Sequence, residues 1–200
     1  MANGADSATS VSSLAERMHS TVVCHLMGRN LEGTVGGGDY TLDLLWESTA
    51  DPGVLTGLPG LEQADRVAYT PLATGSRQPV VQNGIFRTLL FKVLPGAAQT
   101  SVQQLERDLL AMPEYMQGIR KWSLGRVTSD SRWTHVWQQE YQTVDDLMGE
   151  YLMHPYHWGY VDRYFDPDSP DWLVDPQLAH CYCPLPTSVL QDFENRQKPK

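Results

Sequence analysis

The clearest hydrophobic patterning lies in the second half of the chain. GIFRTLLFKV (84–93) is a β-rich run closed by Pro95-Gly96, which predicts a strand ending in a tight turn. Thr100 and Gln103 have the spacing of a capping box. Val102, Leu105, Leu109 and Met112 follow at helical intervals up to Pro113, so an amphipathic helix stopping at that proline is expected. IRKWSLGRV (119–127) and WTHVWQQEY (133–141) alternate like strands around the polar turn TSDSR. Thr143 and Asp146 repeat the capping-box spacing before a second helix with Val144, Leu147, Met148 and Tyr151 on one face, running into HPYH. After the Pro- and Asp-rich DPDSPDWLVDP, LAHCYCPL supplies a last strand.

The resulting order, β-α-β-β-α-β, is that of a split βαβ, ferredoxin-like unit: one antiparallel sheet with both helices on a single face. Its other face needs a cover, and the first half of the chain reads as a reduced copy that supplies one. DYTLDLLWE (39–47) lies on RWTHVWQQE (132–140), VAYTPLAT (67–74) lies on HCYCPLPT (180–187), and STVVCHLM (20–27) would be the copy's first strand. RNLEGTVGGG is too short for a first helix, and DPGVLTGLPGLEQ allows only a brief second one. The expected fold class is therefore α+β, with tandem ferredoxin-like units closing an α+β barrel within one chain. Its parts are a mobile polar tail (1–17), a degenerate half (18–80), a complete half carrying a pocket (81–188) and a polar C-terminal tail (189–200).

Composition narrows the partners. Twenty-four acidic against fifteen basic residues give a net charge of −9, and no basic stripe interrupts them, which argues against nucleic acid or an anionic membrane. No apolar run has the length of a membrane span and the N-terminus lacks the pattern of a secretory signal, so a cytoplasmic protein is expected. Three cysteines cannot all pair; Cys181 and Cys183 alternate onto one face and read as reduced thiols.

Candidate chemistry concentrates in EYLMHPYHWGY (150–160). Strand alternation places Trp133, His135, Trp137 and Tyr141 on one face, and Ile85, Arg87, Leu89 and Phe91 on the matching face of the first strand. Tyr151 and His157 would reach that layer from the second helix. Aromatic walls with a few converging polar groups compose a pocket, and a packed core rarely buries an arginine. Pro155 should break the helix at His154 and restart it, leaving His157 near a new N-terminus and His154 bonded to nearby backbone. Structural histidines in an aromatic helix end are the plain alternative. A three-histidine metal site lacks a placed acidic ligand, so no metal is expected, and VGGGD lacks the context of a phosphate loop.

FRTLLFKVLPGA, MPEYMQGIRKWSLGR, WTHVWQQEY and DDLMGEYLMHPYH together resemble the stress-responsive dimeric A/B barrel family over about residues 84–187. Within it, the residues resemble those of polyketide cyclases of the olivetolic acid cyclase type, which close a linear polyketide by aldol condensation without a cofactor. That resemblance implies Tyr151 and His157 as the catalytic pair and His135 as a further pocket histidine. Where those cyclases carry a first-strand histidine, this chain has Arg87, whose charged fork would anchor a carboxylate, phosphopantetheine or enolate oxygen. Trp133, Trp137 and Leu89 complete the expected substrate-binding wall. The implied function is a cofactor-independent cyclase, dehydratase or isomerase of a polyketide-like or aromatic carbonyl compound. A cofactor-free monooxygenase of activated phenols and a noncatalytic small-molecule binder are the alternatives.

Overall fold

The computed structural model describes residues 22–46 and 65–190. Contacts divide the chain into two compact units, and the larger holds Gly28–Thr41 together with the residues described from Val67 onward. The expected tail at 1–17 and the brief helix in 51–63 lie outside the described residues.

β1 (Val22–Arg29) and β2 (Tyr40–Trp46) pair as a two-stranded sheet. The main sheet is built from β3 (Tyr69–Ser76), β4 (Gln82–Phe91), β5 (Ile119–Val127), β6 (His135–Tyr141) and β7 (Ala179–Thr187), in the order β3-β5-β6-β4-β7. The last four strands have the interleaved antiparallel order of a ferredoxin-like unit. Fold class therefore follows the expectation. The segment at 67–74, expected to end a separate first half, instead forms β3 and pairs along the free edge of β5. An edge place suits it: Pro71 has no N–H to give a second neighbour, and the register shifts by a residue between Pro71 and Ala73.

One long helix, α1 (Gln99–Tyr115), crosses the sheet after the Pro95-Gly96 turn, where Gly96 takes a φ of +83°. Two details depart from the sequence reading. The helix begins one residue before Thr100, with Ala98 at its N-cap and no side-chain cap, so Thr100 and Gln103 form no capping box. It also runs through Pro113 for two more residues, because a proline in the final turn sacrifices only one hydrogen bond near an end that was fraying anyway. The second capping box is real: Thr143 N donates to Asp146 Oδ2 at 2.9 Å, and Asp146 N to Thr143 Oγ1 at 3.1 Å.

The segment it opens is wound with π-type turns over Asp146–Tyr151 and again over His157–Val161, ending in a 3-10 turn, Asp162–Tyr164. The wider winding changes which residues face inward: Leu147 and Tyr151 are buried, whereas Val144 and Met148, expected beside them, face solvent. Leu105, Leu109 and Met112 of α1 join Leu147, Tyr151, Tyr156 and Tyr164 over Leu89, Trp137 and Tyr141 of the sheet in one core.

Every residue of β6 is buried, so both sheet faces are covered along it. At its end the carboxylate of Glu140 accepts hydrogen bonds from Val189 N (2.7 Å) and Leu190 N (2.8 Å). Val189 and Leu190 are themselves buried, so the tail expected from 189 is anchored for its first two residues, its apolar pair docking before the polar stretch begins. Glu140→Ala would strip both N–H groups of their acceptor inside the fold. It is expected to lower unfolding free energy by about 2–5 kcal/mol in urea titration, with an unchanged slope.

Candidate functional site

Register brings the predicted chemistry together only in part. Arg87 on β4 lies opposite Gln139 on β6 and opposite Tyr182 on β7. Its Nε donates to His180 Nε2 at 2.7 Å, its Nη1 donates to Gln139 Oε1 at 2.5 Å, and its guanidinium carbon sits 4.8 Å from the centroid of the Tyr151 ring. Tyr151 in turn meets Tyr141 edge-on at 5.9 Å and His157 edge-on at 4.9 Å. Arg87, Tyr151, His157 and Trp137 thus share one neighbourhood, and Leu89, paired across from Trp137, borders it within the same core.

The π-wound segment is what delivers Tyr151 and His157. Glu150 ties it to the start of β5 by accepting from Gln117 N (2.7 Å) and Gly118 N (2.8 Å). At His154 the helix breaks and resumes at Pro155, as the proline requires, and His154 Nδ1 accepts from Tyr156 N at 3.1 Å. On either side of His157, Tyr156 O–H donates to the Asp108 carbonyl at 3.2 Å, and Tyr164 O–H and Arg163 bond the Asp108 carboxylate at 2.6 and 3.0 Å. Burial, followed by the interaction with Asp108, pushes both phenols up to about 12, so they hold as neutral donors.

His157 acquires a partner that sequence spacing did not suggest. Its Nδ1 lies 3.1 Å from Asp162 Oδ1, an ion-pair distance without hydrogen-bond alignment, and its ring keeps 15% of its surface open. That is the arrangement of a base with a carboxylate behind it, leaving Nε2 for a substrate. Burial raises the Tyr151 phenol, while the Arg87 charge pulls it down; Tyr141 is raised well above its ordinary range, again first by burial. Both are therefore O–H groups at neutral pH. Trp137 Nε1, Gln139 Nε2, Tyr141 O–H and His157 Nδ1 are buried without a hydrogen-bond partner. Of these, Trp137 and Gln139 face the Tyr151 hydroxyl and His157 has Asp162 at ion-pair distance, so the cluster holds polar groups near one another whose hydrogen bonds are only partly made.

Two predicted residues belong elsewhere. β6 begins at His135, so alternation does not extend back to Trp133, which joins Ala179, Cys181, Leu90 and Val67 on the opposite face of the sheet. His135 is on the helix side but at the far end of β6 from Gln139, stacked on Phe91 at 4.9 Å. Its Nε2 lies 3.1 Å from Glu106, which also grips Arg126 through two bonds, and its Nδ1 lies 2.8 Å from the Thr134 hydroxyl. Both nitrogens are thus engaged. Burial lowers its pKa more than Glu106 raises it, so His135 is a neutral, saturated core histidine.

Gln139, His180 and Asp162 were missed. Alternation in HCYC does place His180 and Tyr182 together, away from the buried Cys181 and Cys183. Knowing that this face meets Arg87 required the register. Among the described residues no cluster has the composition of a metal site, and no helix is long and apolar enough to cross a membrane.

The sequence of the region that carries this cluster matches, over residues 85–174, the model of the stress responsive A/B barrel domain. His180 and β7 lie just beyond the matched part of the domain, which spans slightly under half the chain. No curated protein is similar enough in sequence to count as a relative. Among solved structures, a candidate monooxygenase from Lactobacillus acidophilus superposes with a TM-score of 0.53 at 12% identity, covering 93% of each chain. A dimeric ferredoxin-like protein of unknown function from Bacteroides fragilis aligns with 99% of its length on 52% of this chain, at 18% identity and a TM-score of 0.41. At these identities the likeness is one of fold.

The two histidines make a checkable pH signature. Burial, then the Arg87 and His157 charges, hold His180 down at about 3, and His135 is also below its ordinary 6.5. The unfolded chain therefore binds more protons than the folded one in mild acid. Stability present above pH 6.5 is lost as pH falls below it, for His180 down to about 3. His180→Asn, which can still offer Arg87 an acceptor, is expected to flatten this fall relative to the wild type in urea unfolding across that range. Parallel curves would show that His180 is not the titrating group.

Proposed function

We propose that the Arg87–Tyr151–His157 cluster is the active site of a cofactor-independent acid–base enzyme acting on a polyketide-like or aromatic carbonyl compound. The observation that carries this reading is His157: an imidazole with a carboxylate at Nδ1, a free Nε2 and an open edge, beside two neutral phenols and a buried cation. Nε2 takes a proton from the carbon next to a carbonyl, and Asp162 stabilises the imidazolium that results. In this reading the enolate oxygen that develops is met by the Tyr141 O–H, or by the Tyr151 O–H once it turns from the Met112 sulfur 3.9 Å away, and by the field of Arg87. Trp137 and the tyrosine rings hold the flat apolar body. Aldol closure, dehydration and isomerisation all begin with this proton transfer.

The test is hydrogen exchange at the methyl group of acetophenone in D2O, followed by NMR, with the full chain. Wild-type protein should accelerate exchange, and His157→Ala should reduce the acceleration by about 10²–10⁴-fold with an unaltered circular dichroism spectrum. Asp162→Asn should cost less and shift the pH profile, because it leaves Nε2 in place but weakens support for the charged ring. No acceleration by the wild type would leave a binder. The fold shared with a candidate monooxygenase supports a second reading, oxidation of an activated phenol, and oxygen uptake with a hydroquinone would favour it.

A further inference from the structure

We propose that the ligand of this cluster carries a carboxylate, bound by Arg87 and the surplus donors around it. The inference rests on the reading of the cluster as a small-molecule site and adds the charge and shape of what it takes.

Arg87 is only 3% exposed, yet its contacts are an amide oxygen, an imidazole nitrogen and an aromatic ring. None carries negative charge. His180 accepts through Nε2, so its proton sits on Nδ1, and burial with the Arg87 charge prevents a second proton from joining it. These partners orient the guanidinium without neutralising it. Two of its five N–H groups are used, and three remain for a planar acceptor pair.

The neighbouring polar atoms point to the same ligand chemistry. Arg87 can only donate, so Gln139 must turn its oxygen toward Arg87 and its NH2 away. That NH2 and the Trp137 N–H face the Tyr151 hydroxyl without a well-formed hydrogen bond, and the Tyr141 O–H has no partner among the described residues. All three can donate. A neutral ligand would answer some of these donors and leave the charge; a carboxylate answers both, and a flat body attached to it suits the rings of Trp137, Tyr141 and Tyr151 that pack in the same core. A tetrahedral anion brings charge without that flat body.

The experiment compares benzoate with benzamide, its neutral equivalent in shape, and with inorganic phosphate, by calorimetric titration of the full chain at pH 7 and low salt. Benzoate is expected to bind at least about tenfold more tightly than benzamide, and Arg87→Gln to abolish that preference. Equal binding of the two, or no benzoate binding, overturns the proposal, as does displacement of benzoate by equimolar phosphate. Should Arg87→Gln fail to fold, His180→Ala serves instead: it keeps the charge but removes the acceptor that orients it, and should narrow the preference for benzoate over benzamide several-fold; an unchanged preference overturns the proposal. Acetophenone is neutral, so the exchange assay for His157 chemistry can succeed where this test fails, and the reverse.

Discussion

A buried cation, Arg87, with no counter-ion among the described residues is the constraint around which this sheet is arranged. Removing a guanidinium from water is expensive, and the usual remedy is a carboxylate in contact. Here the remedy is distributed: two neutral acceptors fix the fork, and a tyrosine face supplies the attraction of its ring electrons at 4.8 Å. Such an arrangement needs three separate chain segments in register, β4 for the arginine, β6 and β7 for the acceptors, and the π-wound segment for the ring. The ferredoxin-like strand order places β4 between β6 and β7, so an outward group at the middle of β4 has neighbours on both sides. The topology thus lets neutral side chains from both neighbouring strands hold the Arg87 charge.

The contrast between His135 and His157 shows what separates a structural histidine from a reactive one in the same core. Each has a carboxylate near 3.1 Å. Glu106 is committed to Arg126 as well as to His135, and the second nitrogen of His135 is taken by Thr134, so the ring has no valence left. Asp162 stands behind one nitrogen of His157, and no hydrogen bond from the described residues claims the other. Proximity to an acid is common to both; saturation distinguishes them.

Much of the fold was readable from the chain because alternation and helical spacing report directly on which face of an element is buried. β5 forms over the stretch that alternation marked out, 119–127, and the break at Pro155 with His154 bonded to its own turn follows from the chemistry of proline. The failures have physical causes too. Periodicity cannot say where a strand starts, which is why Trp133 was carried onto a face it does not share with Trp137. It assumes ordinary helical winding, so the π-type turns misplaced Val144 and Met148. His180 and Asp162 were invisible as site residues because their roles arise from pairing across strands and from an extra turn of chain, neither of which leaves a mark on local composition.

The wider winding of the 146–161 segment has a functional sense that links these points. In a regular helix, side chains four residues apart drift round the axis, and Tyr151 would share its face with Val144, Leu147 and Met148 as a plain apolar stripe. Winding the turns more widely takes two of those residues out of the interior and leaves Leu147 and Tyr151 as the inward pair. The Tyr151 ring can then lie over Arg87, and the restart at Pro155 swings His157 against the other edge of the same ring. Glu150 and Asp108 hold the segment against the start of β5 and against α1 on either side. The acid–base group and the cation are therefore set on opposite sides of one aromatic ring by a single irregularity in the chain.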